Sequence, residues 1–244
     1  MTLTKKTLID GNSIGFASHQ ASGKLKAGDQ ETQAVFGSIR TIRSVVQKHL
    51  GGEFLVLWDG RSWRKDFYEG YKAQRGATAK NRVMRAGYKS QTPFIRRALK
   101  ALGVHQATAF NLEADDLAAM LADVSARKGH EVRLITRDRD WQQMVQPGVK
   151  WYDHMTHARI SAKNFAEETG YADRFVFSEA KALQGDASDN IPGVGGIGEG
   201  RAKILFEHWP NVAAFLADPD PVATAGKLPK PLRDFHSDKE KQAA

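Results

Sequence analysis

The 244-residue chain has no cysteine, so neither a disulfide framework nor a thiolate metal centre can form, and a reducing compartment is its natural setting. Long apolar runs are missing as well. The first residues, Met1 to Lys6, lack the apolar stretch of a signal peptide, and no later segment is long enough to span a bilayer. A soluble, cytoplasmic protein without a membrane partner is the expectation. Internal repeats and low-complexity tracts are absent too. Acidic residues are in the minority: 36 Lys and Arg stand against 28 Asp and Glu, a formal charge of +8 that suits a surface meeting phosphates. What the chain does have is 41% apolar content, enough to bury a core as one domain or one domain with a small appendage.

Short runs rich in β-formers alternate with helical patterns. Thr7 to Ile9, Phe54 to Trp58, Val104 to Ala109, Val132 to Thr136 and Val149 to Tyr152 read as strands. Between them, Val35, Ile39, Ile42 and Val46, then Phe94, Ile95, Leu99 and Leu102, then Leu117, Met120, Leu121 and Val124 recur at helical spacing. The alternation predicts an α/β fold, a mostly parallel central sheet flanked by helices on both faces. Strand signals stop near residue 160, and helices at roughly 176–184 and 199–208 follow. From Pro219 the chain is rich in proline and then in charge, which predicts a weakly ordered tail over 219–244.

The acidic residues carry most information because of where they fall on this outline. Asp10 closes the first strand, Asp59 the second, Glu113, Asp115 and Asp116 follow the third, and Asp138 and Asp140 follow the fourth. In a parallel sheet the C-terminal strand ends share one edge, where ligands bind, so all of these carboxylates are expected to converge there. Residues 113, 116, 117, 120, 121 and 124 share a helical stripe, which extends an apolar face into Glu113 and Asp116. Crowded carboxylates need a counter-charge, and an all-oxygen donor set favours Mg²⁺ or Mn²⁺ over zinc. Any one of these acids alone reads equally well as a solvated residue at a helix start.

Between Asp59 and Pro93 the charge reverses. Arg61, Arg64, Lys65, Lys72, Arg75, Lys80, Arg82, Arg85 and Lys89 are interleaved with Trp63, Phe67, Tyr68, Tyr71 and Tyr88. Basic groups grip phosphates while aromatic faces stack on unpaired bases. Within "GYKAQR", helical spacing would set Tyr71, Lys72 and Arg75 along one side.

"LIDGN", "LWDGRSWRKDFYEGYKAQR", "LEADDLAAMLA", "ITRDRDW" and "LQGDASDNIPGVGGIGEGRA", in this order and spacing, resemble the 5′-nuclease or flap endonuclease family, which includes bacteriophage 5′-exonucleases and the 5′-nuclease domain of bacterial DNA polymerase I. The resemblance runs from about residue 7 to 216. It implies a PIN-like 5′-nuclease core over 1–160 with a helical arch at about 61–92, and a helix–hairpin–helix-like (helix–three-turn–helix) DNA-binding region over 161–218. It further implies two metal ions: Asp10, Asp59, Glu113, Asp115 and Asp116 would serve the first, and Asp138, Asp140, Asp186 and Asp189 the second. Lys72 and Arg75 match the basic pair presented to the scissile phosphate, and Tyr71 the base-stacking aromatic. Arg64, Arg82, Arg201 and Lys203 would add DNA contacts. The implied activity is structure-specific hydrolysis of DNA at 5′ flaps and 5′ ends by a monomeric enzyme of replication or repair, in a bacterial or phage-infected cell. RNA primer–DNA hybrids belong to the same substrate set. One departure stands out: Ala17 occupies the place of a family Arg, leaving His19 or Lys24 as substitutes for phosphate grip.

The segment "GDASDNIPGVGGIGEGRA", residues 185–202, admits three parsings. A dinucleotide loop should follow a strand early in a βαβ unit, and Gly193 follows a helical segment late in the chain. A calcium loop counted from Asp186 needs Gly and Glu where Ile191 and Ile197 stand. A glycine-rich turn between two helices remains, whose Gly193, Gly195, Gly196, Gly198 and Gly200 let backbone amides approach duplex phosphates. The resemblance adds a K⁺ ion held there by backbone carbonyls, at Val194 and Ile197. His154 and His157, three residues apart, form a metal-like pair but lack an orienting carboxylate, and Pro192, Trp141 and Trp209 read as packing residues. Two rivals remain. An aspartyl-phosphate phosphatase would want an acid where Asn12 stands, and a binding module without catalysis would have lost carboxylates that are all present.

Overall fold

The computed structural model describes residues 4–238 apart from 22, 24 and 50, together with residue 242. It divides into two compact units, residues 1–69 with 75–162, and residues 70–74 with 163–244.

The first unit opens with β1 (Lys5–Asp10), α1 (Gly11–Ala21), a small antiparallel ribbon of β2 (Lys26–Ala27) and β3 (Gln30–Glu31), then α2 (Gln33–Lys48) and β4 (Glu53–Leu57). It continues with α3 (Arg64–Phe67), α4 (Ala79–Ala101), β5 (His105–Ala107), α5 (Ala114–Arg127), β6 (Glu131–Ile135), β7 (Val149–Tyr152) and β8 (Arg159–Ile160). The sheet order is β5-β4-β1-β6-β7-β8, parallel throughout except for β8. The mostly parallel sheet expected from the sequence is therefore present, with an antiparallel edge strand that the sequence did not announce.

Side-chain alternation decides what each face carries. Ile9, Val56 and Ile135 lie side by side in register and pack with Ile14, Ile42, Val45, Ile95 and Leu99 of α1, α2 and α4. The other parity, Leu8, Leu57 and Leu134, faces α5. Asp10 shares the parity of Leu8, so its carboxylate belongs to the α5 face.

That helix corrects one expectation. Its buried stripe is Ala114, Ala118, Ala122 and Ser125, whereas Met120 and Val124 are exposed. Small side chains let the helix backbone approach the sheet closely, and this outweighs the burial of larger residues. Helix α4 starts earlier than its apolar periodicity suggests, at a Thr78 side-chain cap that accepts the Asn81 N–H.

In the second unit come α6 (Phe165–Thr169), α7 (Arg174–Gln184), α8 (Glu199–His208), α9 (Val212–Ala217), α10 (Pro221–Ala225) and α11 (Lys230–Ser237). Helices α7 and α8 fall where the sequence put them. The stretch read as a weakly ordered tail instead carries α10 and α11, with Leu228, Leu232 and Phe235 buried and Phe235 stacked on Phe215. The physical reason is apolar spacing: these three side chains recur at i, i+4 and i+7, and prolines at a helix start do not prevent it. Residues 239–241, 243 and 244 of that tail lie outside the described residues. Among the described residues no helix is long and apolar enough to cross a membrane.

Candidate functional site

Strand β1 lies between β4 and β6, so the carboxylates that follow these three strands meet at one edge. Asp10, only 5% exposed, accepts the Ser13 N–H on Oδ1 at 2.8 Å and the Thr136 hydroxyl on Oδ2 at 2.9 Å. The same Thr136 oxygen accepts the Asp138 N–H at 2.9 Å, which ties the ends of β1 and β6 together. Asp59 Oδ1 accepts the Ala114 N–H at 2.9 Å, fixing the start of α5 beside β4. Asp115 Oδ1 accepts Nε1 of the fully buried Trp141 at 2.7 Å. Glu113 and Asp116 form a capping box on α5, each side chain accepting a backbone N–H of the other's residue. Asp138 caps the short turn Arg139–Met144 through the Asp140 N–H at 2.8 Å.

The electrostatics are those of an under-compensated anionic cluster. Burial, then the charges of Asp115 and Asp59, push Asp10 up to about 7, against the opposing pull of its Ser13 and Thr136 hydrogen bonds. Burial first, and the charges of Asp10 and Asp59 after it, likewise raise the Tyr88 hydroxyl. Asp116 goes the other way. Burial acts to raise it, but the hydrogen bonds from Arg64 and from the Glu113 N–H outweigh that and hold it below the usual carboxylate range. Arg64 reaches Asp116 with both terminal nitrogens, at 3.0 and 2.8 Å, and Glu113 with one at 3.3 Å.

All donors at this edge are oxygens, and a buried carboxylate that resists ionisation is what a hard divalent cation would relieve. The residues fit such an ion in chemistry. They are not closed around one: among the described residues no three His, Cys, Asp or Glu side chains gather tightly enough to ligate an ion as they stand. Arg64 supplies the positive charge at Glu113 and Asp116 instead.

Several basic and aromatic residues sit differently from the sequence reading. Arg64, read as a DNA contact, is spent on the two carboxylates just described. Arg82 donates to the carbonyls of Gly76 and Ala77, bracing the loop before α4. Tyr88 packs edge-on against Phe16, and its hydroxyl lies 3.2 Å from Asn12 Oδ1, so it is a packing residue rather than an exposed platform. Trp63, Phe67 and Tyr68 remain exposed, Phe67 at 83%.

Tyr71, Lys72 and Arg75 do not share a helix side. Lys72 has φ +61°, and only Ala73–Gly76 forms a 3-10 turn, so the segment between Gly70 and Gly76 is not one continuous helix. In the second unit the Lys72 N–H donates to the Asp189 carbonyl at 2.8 Å and the Asn190 amide to the Gly70 carbonyl at 2.9 Å. Lys72 Nζ is 3.8 Å from Asp189 Oδ2 and 4.8 Å from the ring of Tyr71, which is buried. Arg75 offers its carbonyl to Arg85 Nε at 2.8 Å.

The glycine-rich segment is a turn between α7 and α8, as expected. Asp186 closes its first half, accepting the Ser188 N–H at 2.7 Å and the Asp189 N–H at 3.3 Å. Burial acts to raise its pKa, and these bonds with the Ser188 hydroxyl and the charge of Lys181 hold it low.

The glycines divide into two sets. A Cβ on Gly193 would run into the Gln184 and Gly185 backbone, so glycine there answers to packing. Gly196 needs φ +80°. Gly195, Gly198 and Gly200 face open space at ordinary backbone angles, so nothing among the described residues demands glycine at these three positions. Arg201 Nη1 donates to the Gly196 carbonyl at 2.6 Å, and Lys203 Nζ lies 2.8 Å from Glu199. The Val194 carbonyl accepts the Ile197 N–H at 2.9 Å within the turn.

Thr136 and Trp141 are positioning residues that the sequence reading missed or took as packing alone. A hydroxyl directly after an apolar strand and a tryptophan directly after "DRD" were the available signals. Trp209 is buried as a packing residue, as read, and its Nε1 donates to Asp218 at 2.9 Å. His19 has the amides of Gln33 and Gln91 at 3.3 and 3.2 Å from Nδ1, which commits it to the α1–α2–α4 interface, and Lys24 lies outside the described residues.

Residues 5–170 match the family model for the 5′-3′ exonuclease N-terminal, resolvase-like domain. The chain is 31% identical to thermostable DNA polymerase I of Thermus filiformis over 94% of its own length, and 33% identical to DNA polymerase I of Deinococcus radiodurans over 83%. It spans only 27% and 20% of those proteins. Among solved structures, a flap endonuclease of bacteriophage T5 in a complex with DNA and metal ions superimposes with a TM-score of 0.77 at 22% identity, covering 97% of this chain and 85% of that one. The catalytic core of Rad2 bound to a DNA substrate gives 0.58 at 16% identity, covering 99% and 72%.

Proposed function

The chain belongs to the 5′-3′ exonuclease family, and from that premise we propose that it is a structure-specific 5′-nuclease. It hydrolyses phosphodiester bonds of DNA at 5′ flaps and 5′ ends, in replication or repair such as primer removal, and works as a monomer with Mg²⁺ or Mn²⁺. The observation that carries this reading is Asp10: a carboxylate held ready by Ser13 and Thr136, yet pushed up first by its burial and then by the charges of Asp115 and Asp59. Divalent ions at this edge would lower the pKa of a water and neutralise charge gathering on the phosphate.

Asp10, Asp59 and Asp115 are the proposed ligands of the first ion, with Glu113 and Asp116 reaching it directly or through water. Asp138 and Asp140 carry further oxygen donors, and Asp186 and Asp189 are additional carboxylates on which cleavage depends. Thr136 keeps Asp10 oriented, and Trp141 does the same for Asp115. Arg64 compensates Glu113 and Asp116 in the ion-free protein and must yield one of them as an ion enters. Lys72 and Arg75 add electrostatic stabilisation at the scissile phosphate. Tyr71 stacks on a base only if its buried ring is released. Gly195, Gly198 and Gly200 leave the backbone at the start of α8 open to duplex phosphates, with Arg201, Lys203 and Arg82 as further cationic contacts. A K⁺ ion on the Val194 and Ile197 carbonyls would bridge turn and phosphate. The product is a 5′-phosphorylated nucleotide or short oligonucleotide.

A 5′-labelled flap duplex incubated with Mg²⁺ or with EDTA, beside a small phosphomonoester, tests the assignment. Flap cleavage that chelation abolishes supports it. Turnover of the monoester alone would instead make the chain a phosphatase.

A further inference from the structure

The first unit holds a cavity of about 360 Å³ that shares no residue with the carboxylate edge. One wall is a single face of α2, with Arg40, Thr41, Ser44, Val45 and Lys48 at helical spacing, and the other is the end of β7 and the turn after it, with Tyr152, His154, Met155 and His157. Among the described residues no acidic side chain lines it. Its walls bring one guanidinium, one ammonium, two aliphatic hydroxyls and two imidazoles to a corner formed by Val45, Met155 and the Tyr152 ring.

The charge around it is one-sided. Among the described residues neither Arg40 nor Lys48 is ion-paired to a carboxylate. Arg159 stacks its guanidinium on the Tyr152 ring at 5.4 Å, and Arg133 donates to the His49 carbonyl behind it. Asp153 is the acid beside this group, and it is occupied by the N–H groups of Met155 and Thr156. Burial, then the charges of Arg133, Arg159 and Lys48, depress His49; burial and the charges of Arg137 and His157 depress His154 despite Asp153. His154 Nδ1 is also buried without a hydrogen-bond partner.

A metal pair does not suit this arrangement, because His157 Nδ1 is taken by the Tyr152 hydroxyl at 2.8 Å and no carboxylate joins the imidazoles. A cavity of this volume exceeds what a lone oxyanion requires and falls within the range of small-molecule sites. We propose that the α2–β7 cavity binds a nucleotide unit through its phosphate, with Arg40 and Lys48 as the anion contacts and the Tyr152–Met155 corner under the sugar or base. The phosphate comes from a nucleic-acid strand or from a free nucleotide.

The test follows the imidazole resonances of His154 and His157 by NMR in EDTA, during separate titrations with thymidine 5′-monophosphate and with a 12-nucleotide DNA single strand. Saturable shifts at both histidines support the site, and the probe that produces them identifies the source. The double variant Arg40→Gln/Lys48→Gln, whose positions are exposed on α2, should keep the parent melting temperature and weaken the effective probe roughly tenfold, as loss of two partly exposed cation contacts implies. If neither probe moves these resonances up to millimolar concentration, or if the double variant binds as tightly as the parent, the proposal is overturned.

Discussion

Replacing Asp10 with Asn separates what the carboxylate edge does for stability from what it does for chemistry. In the ion-free protein the folded-state pKa of Asp10 stands near 7, against 3.8 for an ordinary Asp. Folded protein therefore prefers the protonated group, and stability present at low pH is lost as pH rises from about 4 through about 7. At pH 8 the full difference applies, roughly 4 kcal/mol at 1.36 kcal/mol per pH unit. Asn cannot ionise and keeps an oxygen for the Ser13 N–H, but it weakens the two hydrogen bonds by about 1 kcal/mol. The net gain at pH 8 is then about 3 kcal/mol, on the order of 10 °C in melting temperature for a chain of this length. At pH 5 the same arithmetic leaves a gain of less than about 1 kcal/mol. Thermal melts of parent and Asp10→Asn in EDTA at pH 5 and pH 8 measure this directly, and the variant should be more stable yet inactive. An equal effect at both pH values, or a loss at pH 8, would refute the picture of an under-compensated cluster.

Further outcomes follow from other positions. Asp186→Asn keeps an oxygen for the Ser188 and Asp189 N–H groups, so the turn should survive; flap cleavage in Mg²⁺ should vanish while flap binding in Ca²⁺ persists, as gel shift would show. Lys72→Ala should lower the single-turnover rate about a hundredfold or more, the scale of one preorganised contact, and a drop confined to affinity would make Lys72 an anchor only. Gly198→Ala and Gly200→Ala enter open space and should leave thermal stability unchanged or slightly raised while weakening duplex binding. Gly193→Ala meets the Gln184 backbone and should destabilise by about 1–3 kcal/mol, the usual range for overpacking, by urea denaturation.

Strands β1, β4, β6 and β7 were legible because each carries a short apolar run, and a parallel sheet buried on both faces writes itself that way, whereas β8 is only Arg159–Ile160 and carries no such run. Asp10, Asp59 and Asp138 were legible for the same reason: an acid at or just beyond the end of such a run marks a strand end. The α5 face was misread because alanine carries little weight in an apolar count, although Ala114, Ala118 and Ala122 are what the helix buries. Residues 71–75 kept helical spacing in sequence but not in structure, since a single positive φ at Lys72 ends the register and no composition signal marks it. Leu228, Leu232 and Phe235 did carry a helical period, masked by Pro229 and Pro231 at the helix start. Arg64 on Glu113 and Asp116 spans about fifty positions of sequence and could be found only in three dimensions.

The central claim is that the carboxylates at the ends of β1, β4 and β6 act through bound divalent ions on a DNA phosphodiester. It is tested most directly by single-turnover cleavage of a 5′-flap duplex as a function of Mg²⁺ concentration, for the parent, Asp10→Asn and Asp59→Asn. The account predicts cleavage by the parent that rises and saturates with Mg²⁺, yields a 5′-phosphate and falls by orders of magnitude in both variants. Parent cleavage that persists in EDTA, or variants that cleave like the parent, would contradict it.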